Sequence, residues 1–206
     1  MKMEHGLKIP QYLFRGDSDS FDKRHLRSTV NNGLLLTNLC SGGNGREIFN
    51  SSLIQLLSQH IIIGWDKTHF LSFSSDESIA FFYGSNGNSY EETYDHAEQW
   101  DFIVLTLDTS IFISQSIKEI SQGIYMARYS PTCKEFTKSF PILLIDTVLY
   151  AESIANKNSS NNIMIDKAKN DKEWLVFPAY PFGNNGEFAA KLDTNCISKK
   201  RYFVII

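Results

Sequence analysis

Residues 69–76 read His69-Phe70-Leu71-Ser72-Phe73-Ser74-Ser75-Asp76, and this stretch decides the fold class. Between His69 and Ser74, aromatic or aliphatic residues alternate with small polar ones, the period-2 signature of a strand with two faces. In such a strand Ser72 and Ser74 point to one face, Leu71 and Phe73 to the other. The period then changes: Asp76–Tyr83 reads as a helix that Ser75 or Asp76 can cap.

Toward the N-terminus, apolar positions Ile48, Leu53, Ile54, Leu56, Leu57 and Ile61 follow helical spacing, so Glu47–Ile61 reads as a helix with one buried face. Gln11–Arg15 is a short strand ending in an arginine, and Asp17–Ser20 supplies cap and turn residues. Phe21–Val30 reads as a short helix stopped at Asn31-Asn32-Gly33, Leu34–Leu39 as a strand edge, and Ser41–Gly45 as a loop. Toward the C-terminus, Gly84–Gln99 is polar and reads as an exposed loop, and Phe102–Leu107 as a strand. Ile113–Tyr129 stays open between helix and strand. Pro141–Ile145 reads as a strand leading into a helix through Ile154, Asn156–Asn162 as a polar loop, and Trp174–Phe177 and Tyr202–Ile206 as strands. Early helices and many short strands without regular βα alternation give an α+β class with a mainly antiparallel sheet. There is no repeat or long linker, so residues 1–206 read as one domain.

The composition suits a soluble globular chain: 42% hydrophobic, 21% charged, net charge −3. That charge gives no general argument for a nucleic-acid or membrane partner. The start, MKMEHGLKIPQYLF, lacks the apolar run of a signal peptide, and no segment is apolar enough to span a bilayer. Cys40, Cys133 and Cys196 are far apart with no CxxC pair, which fits reduced thiols and a cytoplasmic setting, in the producing cell or in a cell that receives the protein.

Three patterns carry chemistry. Leu13-Phe14-Arg15-Gly16-Asp17 sends an arginine out of a strand into a Gly-Asp turn, where its planar fork can hold a phosphate or carboxylate. The two hydroxyls of Ser72 and Ser74 on one strand face suit hydrogen bonding to a ribose or an amide. Asp171-Lys172-Glu173 places two carboxylates before the apolar run Trp174–Phe177. If the strand starts early enough, both face one side, where a carboxylate can stabilise a positively charged sugar transition state. Each pattern alone has an ordinary structural explanation: an ion pair, a turn initiator, or charges flanking a strand.

Taken in order, Phe14-Arg15-Gly16-Asp17, then Phe70-Leu71-Ser72-Phe73-Ser74 with Ser78-Ile79-Ala80 after it, then Asp171-Lys172-Glu173 before Val176-Phe177-Pro178, the chain resembles the Arg–Ser–Glu class of mono-ADP-ribosyltransferases, which includes cholera-toxin-like and pierisin-like toxins. The resemblance implies an ADP-ribosyltransferase fold, with split, mainly antiparallel β-sheets and helices in the N-terminal half. It implies NAD as substrate and no metal. Arg15 and Phe14 would lie at the NAD site, with Arg15 on the diphosphate. Ser72 would bond Glu173 or the nicotinamide ribose, Ser74 would support the strand, and Glu173 would bind the ribose and favour the oxocarbenium-like state. Phe81, Phe82 and Tyr83 are candidates to stack on nicotinamide. His60 precedes the serine motif where some such toxins carry an active-site histidine, but reads better as a surface or helix-terminal residue.

Two positions depart from the family pattern. Phe73 replaces a threonine, and Asp171 stands where the family has Glu or Gln, with its charge withdrawn by about 1.5 Å, one C–C bond. Asp171 would face the acceptor, so acceptor choice is the open point: protein arginine slightly ahead of a DNA or RNA base. The expected activity is transfer of ADP-ribose from NAD to a macromolecule, in a bacterial toxin, effector or defence enzyme, with an antitoxin or immunity protein as a further partner. The alternatives are an NAD glycohydrolase and a silent module that binds NAD or a partner. Gly42-Gly43-Asn44-Gly45-Arg46 lacks the Gly-Lys-Ser/Thr ending of a P-loop, the five histidines have no metal-ligand spacing, and Lys199-Lys200-Arg201 reads as a solvated entry to the last strand.

Overall fold

A computed structural model of the chain describes residues 9–18, 28–29, 33–35, 53–63, 70–85, 101–112, 117–129, 140–155, 162–178, 191–192 and 197–203. The strands are β1 (Tyr12–Ser18), β2 (Ser28–Thr29), β3 (Gly33–Leu35), β4 (Leu71–Ser74), β5 (Asp101–Asp108), β6 (Lys118–Ser121), β7 (Ile124–Tyr129), β8 (Phe140–Asp146), β9 (Glu173–Pro178), β10 (Lys191–Leu192) and β11 (Ile197–Phe203). The helices are α1 (Leu53–Ile63), α2 (Glu77–Gly84), α3 (Thr147–Ala155) and α4 (Asn162–Asp171). Eight strands form one sheet in the order β11-β5-β1-β4-β9-β8-β7-β6, every neighbouring pair antiparallel, and β10-β3-β2 form a small second sheet. The class is α+β with mainly antiparallel pairing, as the strand patterns indicate.

The large sheet has one weak seam. β1 pairs with β5 along its length, from Tyr12↔Asp108 to Ser18↔Phe102, yet meets β4 only at Phe14↔Ser74. Alternation along the strands sorts the core onto two faces. Leu13, Phe73, Leu105, Ile142, Leu144, Trp174 and Val176 build one buried cluster. Leu143, Ile145 and Leu175 point the other way, under Leu57 and Ile61 of α1, Tyr150 and Ala151 of α3, and Met164 and Ala168 of α4. A third cluster packs Ala80 and Phe81 of α2 on Phe102 and Val104.

Helix α2 sits directly on β1. A Cβ at Gly16 would fall on the Ala80 carbonyl oxygen and within 2.6 Å of the Gly84 amide nitrogen, so only glycine allows this approach. The Asp76 side chain caps α2 by accepting from the Ser78 amide at 3.0 Å. In the region left open by sequence, β6 and β7 form a hairpin turned at Gly123, whose φ of 77° is the left-handed conformation glycine tolerates.

Several expectations change. Ser28–Thr29 do not end a helix but pair as a short strand with β3 (Ser28↔Leu34, Thr29↔Gly33), the extended backbone being held by cross-strand hydrogen bonds. Residues 21–27 of that expected helix lie outside the described residues, as do 36–39, Ser41–Gly45, the three cysteines and most of Gly84–Gln99. Helices are not confined to the N-terminal half: α3 and α4 follow residue 146. The strand carrying Glu173 does not reach Asp171, which is the last residue of α4. Lys199-Lys200-Arg201 lies within β11, paired with Leu105, Val104 and Ile103. Among the described residues no helix is long and apolar enough to cross a membrane.

Candidate active site

The site forms where the β1/β4 seam meets the covering helices. Register places Ser74 directly opposite Glu173 and Ser72 opposite Leu175, so Ser72, Ser74 and Glu173 share the face under α1. Phe73, where the family has threonine, points to the opposite core and is buried there.

His60, in the last turn of α1, is buried at 3% exposure and holds the centre. Its Nε2 lies 3.1 Å from Ser72 Oγ and 3.0 Å from Glu173 Oε1. A carboxylate can only accept, so with Glu173 ionised the Nε2 proton points to Glu173 and the serine hydroxyl shares it. Phe70 meets the imidazole edge-on, with centroids 5.4 Å apart, which fixes the ring plane. Glu173 keeps 15% of its side chain exposed, so the side chain is not sealed in the core. Its backbone is anchored as well: the fully buried Thr147 donates from Oγ1 to the Glu173 carbonyl at 2.9 Å.

Arg15 joins from across the seam, where its Nη1 donates to the Ser72 carbonyl at 3.0 Å. The arginine expected to contact a diphosphate therefore also braces the strand that carries Ser72. Phe14, the residue of β1 that is registered with β4, packs against the α2 cluster.

Asp171 enters differently from the expectation. Lys172, with φ of 44°, turns the chain in the left-handed region between the end of α4 and the start of β9. Helices often end this way, but usually with glycine or asparagine. Residues 74–76 hold this turn: Ser74 Oγ donates to the Asp171 carbonyl at 2.8 Å, the Ser75 amide to the Lys172 carbonyl at 3.1 Å, and Lys172 Nζ meets Asp76 Oδ2 at 2.7 Å. The Lys172 contact, then those from Ser78, hold the Asp76 carboxyl down at about 2. Tyr83 Oη donates to Asp171 Oδ1 at 2.7 Å. Burial pushes the Asp171 carboxyl up, with the Glu173 charge adding to the rise, while the Tyr83 hydrogen bond opposes it. Burial, then the bond to Asp171, pushes the Tyr83 hydroxyl upward too, so it stays a donor.

Thus Arg15, Ser72, Ser74, Asp171 and Glu173 converge from β1, β4, the end of α4 and β9. Of the aromatic candidates, Phe81 is core, packed edge-on against Phe102, whereas Phe82 and Tyr83 are exposed. His60 is helix-terminal, as one half of its reading from sequence had it, but it is buried and bonded to Ser72 and Glu173 instead of lying at the surface. Its position offered the signal, three residues after the buried Leu57 and thus inside the apolar stripe of α1. Tyr83 as a partner of Asp171 had no sequence signal, since the contact spans 88 positions. Among the described residues no cluster of His, Cys, Asp or Glu is arranged to hold a metal ion. The chain matches no protein-family model, no curated protein and no solved structure.

Proposed function

We propose that the chain is a mono-ADP-ribosyltransferase of the Arg–Ser–Glu class, with an ADP-ribosyltransferase fold whose cleft is the β1/β4 seam. The observation that carries this reading is the meeting of Ser72 and Glu173 on His60 Nε2, with Arg15 bound to the Ser72 carbonyl. Residues matched by motif from three distant segments form one hydrogen-bonded group, which unrelated ordinary motifs have no reason to do.

The chemistry is substitution at the anomeric carbon of the nicotinamide ribose. The bond to the nicotinamide nitrogen breaks, its electron pair leaves with neutral nicotinamide, and positive charge develops on the sugar. Glu173, aimed by His60 and backed by the Thr147 bond to its carbonyl, supplies negative charge where that charge appears. Arg15 offers a guanidinium for the diphosphate at the seam. A nucleophile on the acceptor then bonds to the anomeric carbon and gives up a proton. The acceptor is a macromolecule, with protein arginine ahead of a nucleobase because a carboxylate is retained at Asp171. Such an activity suits a toxin, effector or defence enzyme.

The test uses NAD labelled in its ADP-ribose part, incubated with the protein and a clarified cell lysate. Nicotinamide release and label on macromolecules are expected. Both should fall at least about a hundredfold in Glu173→Gln, the scale of removing one preorganised stabilising group. Wild-type protein that releases no nicotinamide overturns the reading. Free ADP-ribose without labelled macromolecules makes the chain an NAD glycohydrolase instead.

A further inference from the structure

The segment Asp171-Lys172 is clamped by the stretch 74–83, and the contacts divide into two kinds. Ser74 and Ser75 bind its carbonyls, and Asp76 binds the Lys172 ammonium. These fix the path of the backbone. The contact from Tyr83 reaches the Asp171 carboxyl itself, at 2.7 Å, within the range of a charge-assisted hydrogen bond. Tyr83 lies in the last turn of α2 with 57% of its surface exposed, and its hydroxyl reaches across to the Asp171 carboxyl. Phe82 lies exposed beside it, edge-on at 5.9 Å.

We infer that Tyr83 is the positioning residue for Asp171, holding this carboxylate beside Glu173 so that ADP-ribose passes to a macromolecular acceptor instead of to water. The inference rests on the proposed NAD-cleaving site and adds what sets its outcome. With Oδ1 held by Tyr83, the carboxylate cannot rotate freely, and an acceptor donor meets it in one orientation. Without that bond the carboxylate turns about its side-chain torsions, the acceptor is placed less often, and water takes a larger share of the sugar cation. Asp171 feels Glu173 from β9, His60 from α1, Lys167 from its own helix and Tyr83 from α2. Tyr83 is the hydrogen-bond donor among these and keeps its proton across the working pH range.

The test compares wild type, Tyr83→Phe, Asp171→Asn and the double variant, with labelled NAD and clarified lysate. The reading is the ratio of macromolecule-bound label to free ADP-ribose. Phe keeps the ring, so any stacking on nicotinamide survives and only the hydroxyl is lost. Tyr83→Phe is expected to lower the ratio about threefold to tenfold, the worth of one hydrogen bond. Asp171→Asn should lower it too, and the double variant no further than Asp171→Asn alone, because Tyr83 acts through Asp171. The loss in Tyr83→Phe should fall on the kcat of transfer more than on the KM for NAD, a split that general loosening of α2 would not produce. An unchanged ratio, or additive losses in the double variant, overturns the inference. So does a wild type that releases nicotinamide but labels no macromolecule, while NAD cleavage stands. No nicotinamide release at all overturns both.

Discussion

Replacing His60 by alanine tests the centre of the site. The imidazole is 2% exposed and lies 3.0 Å from a Glu173 carboxylate that is 15% exposed. A hydrogen bond to a charged group at such a place contributes about 1.5–3 kcal/mol. The edge-on contact with Phe70 adds about 0.5–1.5 kcal/mol. His60→Ala should therefore lose about 2–4.5 kcal/mol. For a chain of this size, at about 2–4 °C per kcal/mol, Tm falls by roughly 4–18 °C. Activity should fall for a separate reason. Ser72 and Glu173 meet through Nε2, so without the ring the carboxylate adopts other rotamers and its charge is no longer fixed beside the reacting sugar. If half to all of the hydrogen-bond energy serves that orientation, kcat drops between about 4-fold and about 160-fold, at 1.36 kcal/mol per tenfold. Thermal denaturation followed by circular dichroism gives the first quantity. Nicotinamide release, measured well below the variant's Tm and normalised to folded protein, gives the second. A lowered Tm with kcat within twofold of wild type would refute the positioning argument. An unchanged Tm would refute the buried contact itself.

Gly16→Ala should lower Tm by several degrees, because the new Cβ meets backbone of α2 at Ala80 and Gly84, and overpacking of this kind costs about 1–3 kcal/mol; a Tm equal to wild type would show that α2 does not sit on β1. Asp76→Asn separates charge from capping, since asparagine still accepts from the Ser78 amide. The Asp76 carboxyl lies at about 2 when folded against an ordinary value of 3.8, chiefly through Lys172, so its charge stabilises the fold above about pH 4 and the benefit is lost as pH falls toward 2. Lys172 is 53% exposed and Asp76 32%, so screening holds the contribution below about 1 kcal/mol. Urea titrations should find the variant weaker than wild type at pH 7, with the gap shrinking as pH falls from about 4 toward 2; a gap that keeps its full size down to pH 2 contradicts the assignment.

Local periodicity made part of this fold legible. The change from period 2 to period 3.6 at Ser75-Asp76 is written in neighbouring residues, and β4, the Asp76 cap and α2 follow it closely. The continuous apolar run of β5 is equally local. By contrast, α4 was missed because among its described side chains only Met164 and Ala168 are buried, while Asp, Lys and Asn dominate its sequence. A stripe that thin is decided by what it packs against, here Leu57 and Ile61 of α1 within one cluster. The helix-terminal place of His60 was legible, but its burial and bonding were not, because a polar side chain in an apolar stripe gains its meaning only from a partner, and Glu173 lies 113 positions away.

The two carboxylates show most clearly where sequence periodicity stops. Alternation put Asp171 and Glu173 on one face only if the strand began early enough to include both, since the rule holds only inside one strand. The chain instead ends a helix at Asp171, turns left-handed at Lys172 and starts the strand at Glu173. A non-glycine residue there costs about 1–2 kcal/mol, so it persists only if its surroundings over-determine it. They do: Ser74, Ser75 and Asp76 bind both residues of the turn. The carboxylates therefore influence each other through a strained junction that the serine strand holds in place, not through strand pleating. Ser72 faces Glu173 through His60, and its neighbours two to four residues on set where Asp171 stands. A change at residues 74–76 should thus displace the Asp171 carboxylate, although none of the three touches that carboxylate itself.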